Sequence, residues 1–252
     1  MNVIILATQR SGSTLLCAEL QGIGGMGRPG EHFWSWLREA GEAPCLDDAA
    51  MDRIAAFGRA EDGSLGFKIM ADYLPRLAEA RFGPVADRVE GSVRFLTELE
   101  AREGPFAWFR IDRADVFDQA LSRYLATQTG LYFRTETGTV AAEGHPGAEK
   151  SEDTLLAEFR PDRLARHIRE IDAERRTLDR IADTLGRSVH LVPYEDLVDR
   201  RAEVLAGCCA HASRPVPAEW PERWMKKVVD ADLRQRFRRL FDAAAGPVAV
   251  NG

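Results

Sequence analysis

Long apolar runs are missing from this 252-residue chain. The opening run Val3-Ile4-Ile5-Leu6-Ala7, behind an uncharged Asn2, is too short for a signal-peptide core or a membrane-spanning helix, so the sequence reads as cytoplasmic, with no transmembrane segment. A basic surplus is missing too. With 34 Lys and Arg against 40 Asp and Glu, the formal charge is -6, and nothing global favours nucleic acid or an acidic membrane. Any anionic ligand must therefore be held by a local site. Cysteine is scarce: Cys17, Cys45, Cys208 and Cys209 show no CxxC or Cys/His spacing, which points to free thiols in a reducing compartment and to no metal. Lysine is equally scarce, at 68, 150, 226 and 227 only, so four of 34 basic residues are Lys. Linkers of domain-separating length and solenoid-type repeats are absent, which predicts a single domain over 1–252.

What is present is an alternation. Short apolar runs at Val3 to Ala7, Leu65 to Met70, Phe106 to Arg110 and Val189 to Val192 read as buried parallel strands, each followed by a helical pattern. The helical patterns are clearest at Thr14 to Gln21, Ala114 to Thr127, Arg163 to Leu185 and Asp230 to Ala243. In the third, Leu164, Ile168, Ile171, Leu178, Ile181 and Leu185 recur at three, four or seven. The fold class this predicts is α/β, a three-layer sandwich with a central, mostly parallel sheet flanked by helices. The stretch 130–150, rich in Thr and Gly, is the weakest for regular structure and reads as a mobile substrate or donor loop, or as a plain surface loop.

Val3 to Leu16 reads as a buried strand, a short polar turn and then an amphipathic helix, the context of a phosphate-binding loop. Backbone N–H groups at the helix start cradle an anion, Ser11, Ser13 and Thr14 add hydroxyls, and Gly12 permits close approach. Ser13 stands where the nucleotide-hydrolysing loop carries Lys, and Arg10 is the only cation within the turn. Such a loop suits a 5′-phosphate or phosphosulfate better than Mg²⁺-ATP chemistry. The plainer alternative is a helix capped by Ser11 or Ser13 that holds no ligand.

Together with Gly27-Arg28-Pro29-Gly30-Glu31-His32-Phe33, this turn resembles the bacterial sulfotransferases of the trehalose 2-sulfotransferase type, members of the P-loop sulfotransferase superfamily. Phe67-Lys68-Ile69-Met70, then Asp115 through Ser122 with Gln128-Thr129-Gly130, and Tyr194-Glu195-Asp196-Leu197 extend the resemblance to about residue 200. It implies 3′-phosphoadenosine 5′-phosphosulfate (PAPS) as donor, with Arg10, Ser11, Gly12, Ser13 and Thr14 on its 5′-phosphosulfate and no metal. Arg10, aimed at the departing phosphate, would have a catalytic part.

Glu31 matches the family's general base, a role worth about 10²–10⁴-fold in rate, and the flanking apolar residues would favour its proton-accepting work. Without the motif it reads as an N-cap or first-turn carboxylate complementing a helix dipole. His32, adjoining it, is the competing proton acceptor, but at a position where relatives carry an aromatic it reads as a residue that packs or contacts substrate. His32, Phe33 and Trp34 are the candidate acceptor contacts, with Trp36 beside them.

The resemblance also implies a 3′-phosphate site from Ser122 and an Arg before it. Arg113 stands one residue off that register, so Arg113 alone, Arg110, or another basic residue fills the role. Lys68, alternating against Phe67, reads as a strand-edge cation with the reach to touch a ligand, and Tyr194 to Leu197 as a strand-to-helix junction capped by Glu195 or Asp196. The basic stretch Arg234 to Arg239 either lies over the nucleotide or balances acidic neighbours.

The function expected is sulfuryl transfer to a hydroxyl of a carbohydrate, glycolipid or related small molecule. A small-molecule kinase is opposed by Ser13; a non-catalytic adenosine 3′,5′-bisphosphate-binding module would need the turn but not Glu31. Homodimers occur among the relatives, which makes a second copy of the chain a partner to consider.

Overall fold

The computed structural model describes residues 1–42, 44–135, 138–141, 150–222, 225–226 and 231–245. The chain runs through β1 (Asn2–Ala7), α1 (Ser13–Ile23), α2 (His32–Glu39), α3 (Asp48–Gly58), β2 (Gly66–Met70), α4 (Leu74–Phe82), α5 (Arg88–Glu103) and β3 (Phe106–Asp112). It continues through α6 (Val116–Thr129), β4 (Leu131–Thr135), β5 (Gly138–Ala141), α7 (Glu152–Ala157) and α8 (Pro161–Leu185). The last elements are β6 (Val189–Pro193), α9 (Tyr194–Asp199), α10 (Arg201–His211), β7 (Met225–Lys226) and α11 (Ala231–Ala245). Two compact units result, one of Met1–Ala114 with Asp172–Glu222 and one of Asp115–Ile171 with Arg223–Gly252.

In the first unit the four apolar runs expected to be strands form one all-parallel sheet in the order β2-β1-β3-β6. Val3, Ile4, Ile5, Leu6 and Ala7 are each at most 1% exposed. Successive strand side chains point to opposite faces, so burial of the whole run means that both faces of β1 are covered. Helices supply the cover, with Leu16 and Leu20 from α1, Leu74 and Leu77 from α4, and Phe95 and Leu99 from α5 in the same core. Leu178 and Ile181, from the stripe read along α8, join it.

The chain steps from β1 to β2 on one side and then to β3 on the other, so the strand order reverses at β1. Ligands of open α/β sheets bind at the carboxyl ends of the strands at such a reversal. The pairings Ala7↔Met70, Ala7↔Ile111 and Ile111↔Val192 bring these ends level. Below them, Glu19 of α1 is buried and held by the Arg201 guanidinium of α10, with Arg201 Nε 2.8 Å from Glu19 Oε1. A carboxylate in that position is tolerable only because it is paired.

The second unit has its own core of Phe117, Tyr124, Phe159, Leu164, Ile171 and Phe237, contributed by α6, α8, α11 and the turn after α7. Gly130 ends α6 in the left-handed conformation, its N–H bonded to Ala126 O at 2.8 Å. Residues 131–135 and 138–141, where the sequence shows little regular structure, are strands β4 and β5, paired antiparallel, with β7 on the other edge of β4. β-Branched and aromatic residues at Tyr132, Phe133, Thr135, Thr139 and Val140 favour extended pairing there without the apolar continuity of a buried strand. Residues 136–137 and 142–149 of that stretch lie outside the described residues.

Candidate active site

The turn after β1 is strained in a way a plain connection would not be. Arg10 has φ 64° and Gly12 φ 97°, on either side of Ser11, whose N–H bonds Thr8 O at 3.3 Å. A left-handed residue other than glycine costs roughly 1–2 kcal/mol, and such strain collects where backbone groups are aimed at a ligand. Helix α1 begins at Ser13 with no side-chain cap and no acidic residue in its first turn, so its leading N–H groups and positive dipole end face the strand ends. Capping by Ser11 or Ser13 is thereby ruled out. Ser11 Oγ is fully buried and has no hydrogen-bond partner. A buried hydroxyl of this kind fits an anion seated on the turn. Ser13, also buried, directs its hydroxyl at Met70 Sδ, 4.0 Å away, so it offers the turn a backbone N–H rather than a side chain.

Two further strand ends close on the turn. The ring of Tyr194, first residue of α9, lies against Gly12: a Cβ there would stand 2.3 Å from Tyr194 Cδ2. On that ring rests the Arg113 guanidinium, 4.9 Å from its centroid, and Glu195 accepts from Ala114 N at 3.1 Å. Asp196 pairs instead with Arg200 at 2.7 Å. The segment is the strand-to-helix junction read from the sequence, but Pro193 takes the N-cap position with no side-chain cap from Glu195 or Asp196, and the Tyr194 ring packs on the glycine of the turn. The Arg110 guanidinium is engaged by Asp112 at 2.8 Å and by Asp179. Ser122 lies half-buried on α6 of the second unit.

Glu31 reaches the first unit's strand ends by a backbone-on-backbone strap. At Gly27, φ 70°, a Cβ would stand 2.2 Å from Leu65 C and Gly66 N, so only glycine lets the strap lie flat on the start of β2. Arg28 N then bonds Gly58 O at 2.8 Å and Lys68 N bonds Gly30 O at 2.9 Å. Glu31 takes the N-cap position of α2 but makes no side-chain cap bond. Its carboxylate turns to Lys68, with Oε1 2.7 Å from Nζ, so a buried ammonium rather than apolar flanks adjoins it. The same Nζ donates to Thr14 Oγ1 at 3.1 Å. Lys68 does stand on an edge strand, β2, but its side chain is only 6% exposed and bridges the strap to the first turn of α1. Beside it the Cys17 thiol is pushed up to about 11 by burial, the Lys68 charge opposing.

The other aromatic candidates divide. His32 Nε2 meets Arg28 O at 2.8 Å, and the ring stacks on Phe57 and edges onto Phe67. Burial holds its pKa below the usual histidine value, so it packs as a neutral ring. Phe33 is wholly buried between Phe67 and Phe95 and offers no surface to an acceptor, because its helical phase points it into the core. Trp34 is half-buried and stacks on Tyr73 at 5.4 Å, and Tyr73 donates to Lys68 O at 3.0 Å. Trp108 is a core residue, and Trp36 and Trp220 pack on that core; Trp224 lies outside the described residues. In the second unit Arg234, Arg236 and Arg238 pair with Asp118, Glu152 and Asp115 at 2.6, 3.2 and 2.9 Å, the charge-balancing alternative for that basic stretch.

Comparison with known proteins gives the family and the fold. A trehalose 2-sulfotransferase of Mycobacterium tuberculosis is 26% identical over 196 residues, which cover 66% of this chain and 68% of that one. The crystal structure of a sulfotransferase from Alicyclobacillus acidocaldarius superposes with a TM-score of 0.51 at 14% identity, over 96% of this chain and 91% of that one, which shows the shared fold. Residues 2–239 match the Stf0 sulphotransferase family as a whole, and with a match across nearly its entire length the chain belongs to that family of sulfotransferases.

Proposed function

We propose that this sulfotransferase moves a sulfuryl group from PAPS to a hydroxyl of a carbohydrate, glycolipid or related small molecule, with Glu31 as general base and no metal ion. The observation that carries the reading is the distance between the two halves of the chemistry. One side chain, Lys68, spans from the Glu31 carboxylate to Thr14 in the first turn of the donor-loop helix. The donor supplies an electrophilic sulfur on a phosphate leaving group. As the acceptor oxygen bonds to sulfur and the S–O bond to phosphate breaks, the hydroxyl proton passes to Glu31. The charge gathering on the phosphate meets the N–H groups of Gly12, Ser13 and Thr14, the Ser11 hydroxyl and the Arg10 guanidinium, an arrangement that stabilises charge without a cation of the Mg²⁺ type. Arg113, stacked on Tyr194, is the first unit's candidate for the 3′-phosphate. Trp34 is the aromatic beside Glu31 with surface to offer a sugar, and a sugar hydroxyl is the acceptor named for the mycobacterial relative.

The test uses labelled PAPS with a panel of sugars and glycolipids, in buffer with and without a chelator. Adenosine 3′,5′-bisphosphate should raise the melting temperature without Mg²⁺, ATP far less. Glu31→Gln should keep that ligand response while turnover falls at least about tenfold. Equal stabilisation by ATP, or a strict metal requirement, would overturn the donor assignment; wild-type turnover in Glu31→Gln would remove the base.

A further inference from the structure

The chain builds its cations almost entirely from arginine, yet the most sheltered cation beside the loop is a lysine. The Lys68 backbone is clamped on both sides, its N–H donating to Gly30 O at 2.9 Å and its carbonyl accepting from Tyr73 OH at 3.0 Å. Its side chain therefore starts from a fixed point and ends on two oxygens of different segments, Glu31 Oε1 at 2.7 Å and Thr14 Oγ1 at 3.1 Å. An ammonium is a compact charge with three donors and can bridge two oxygens lying off one plane; a guanidinium is a flat fork suited to one carboxylate. Taking the Lys68 ammonium out of water costs several kcal/mol before pairing, whereas its partner carboxylate stays partly exposed, so a purely structural filler at this place would be better made of an apolar side chain.

We propose that Lys68 is a positioning residue for sulfuryl transfer, fixing the Glu31 carboxylate at a set distance from the first turn of α1 by holding Glu31 and Thr14 with one ammonium. The proposal rests on the reading of Glu31 as base. With Oε1 committed to Lys68, Oε2 is the oxygen that takes the acceptor's proton. Lys68 keeps its own proton throughout: the acceptor's O–H bond breaks toward Oε2, the O–S bond forms, and the S–O bond to the donor phosphate breaks. Without the bridge, the Glu31 side chain is free to rotate away, and misplacement of a catalytic group by about 1 Å costs on the order of 10²-fold. The lysine that the loop itself lacks at position 13 is thus replaced by one from the neighbouring strand, used for a different purpose.

A double-mutant cycle tests this with kcat, KM for PAPS, and the melting shift caused by adenosine 3′,5′-bisphosphate. Lys68→Met, which keeps the buried stem, should lower kcat at least about tenfold while the ligand-induced melting shift persists, and Lys68→Arg should recover part of the loss. In the Glu31→Gln background the same Lys68→Met change should cost less than about twofold in kcat, because a positioning residue has nothing left to position. An equal cost in both backgrounds, or wild-type kcat in Lys68→Met, would overturn the proposal while leaving Glu31 as base. Wild-type turnover in Glu31→Gln alone would overturn the base assignment and the proposal with it. Should Lys68→Met fail to fold, Lys68→Arg against Glu31→Gln closes the same cycle with the same two outcomes.

Discussion

The ring of Tyr194 lies flush on Gly12, two residues 182 positions apart that meet because β1 and β6, which flank β3, end level at the same end of the sheet. Gly12 has both a left-handed φ of 97° and no space for a methyl group, so it fails on two counts when replaced. Gly12→Ala should lower stability by roughly 1–3 kcal/mol through overpacking and left-handed strain. It should also abolish the melting shift that adenosine 3′,5′-bisphosphate gives the wild type, because the turn must open to admit the Cβ. Thermal melts with and without the nucleotide read both effects; a variant that melts lower but keeps the full ligand shift would show that the turn does not hold the nucleotide.

Stability should also depend on pH through His32. Its ring is held below the ordinary value of 6.5, first by burial, with the nearby Arg28 and Lys68 charges acting in the same direction and the bond to Arg28 O against it. The folded protein therefore keeps the ring neutral where the unfolded chain protonates it. Unfolding then takes up a proton, so the stability is complete above about 6.5 and declines as pH falls toward the folded value. His167 and His190, both lowered first by burial, add with the same sign. Urea midpoints at pH 5 and 7.5 should differ in the wild type and differ less in His32→Phe, which keeps the aromatic contacts with Phe57 and Phe67. An unchanged difference in the variant would assign the dependence elsewhere.

Much of the fold was legible because the physics that builds it is local or periodic. A strand covered on both faces must be apolar at every position, and the four such runs became the four strands of the sheet. The stripe along α8 was equally plain. β4 and β5 escaped notice because their pairing rests on backbone hydrogen bonds and β-branched residues rather than on an apolar run. At the candidate site, a sequence motif singles out the loop and Glu31, whereas the bridge through Lys68 needs the strap at Gly27 to lie on β2, a contact between segments about 40 residues apart. That Arg110 pairs with Asp179 is invisible in the local pattern, because the two residues stand 69 positions apart.

Ser11 gives the sharpest separation of function from stability. Its hydroxyl is fully buried without a partner, and a buried polar group left unsatisfied costs about 1–3 kcal/mol. Ser11→Ala removes that cost along with the oxygen, so the free protein should become more stable, with a higher melting temperature than the wild type. The same change deletes a donor that a bound phosphate would use, and a hydrogen bond to a charged group is worth about 1.5–3 kcal/mol, or roughly a tenfold to hundredfold rise in Kd for adenosine 3′,5′-bisphosphate. Calorimetric unfolding without ligand and isothermal titration with it give the two quantities independently. Opposite signs are expected, stability up and affinity down, as for a group whose unfavourable burial is offset only when the anion is present. Loss of both together would make Ser11 an ordinary packing residue, and an unchanged Kd would place the phosphate away from this turn.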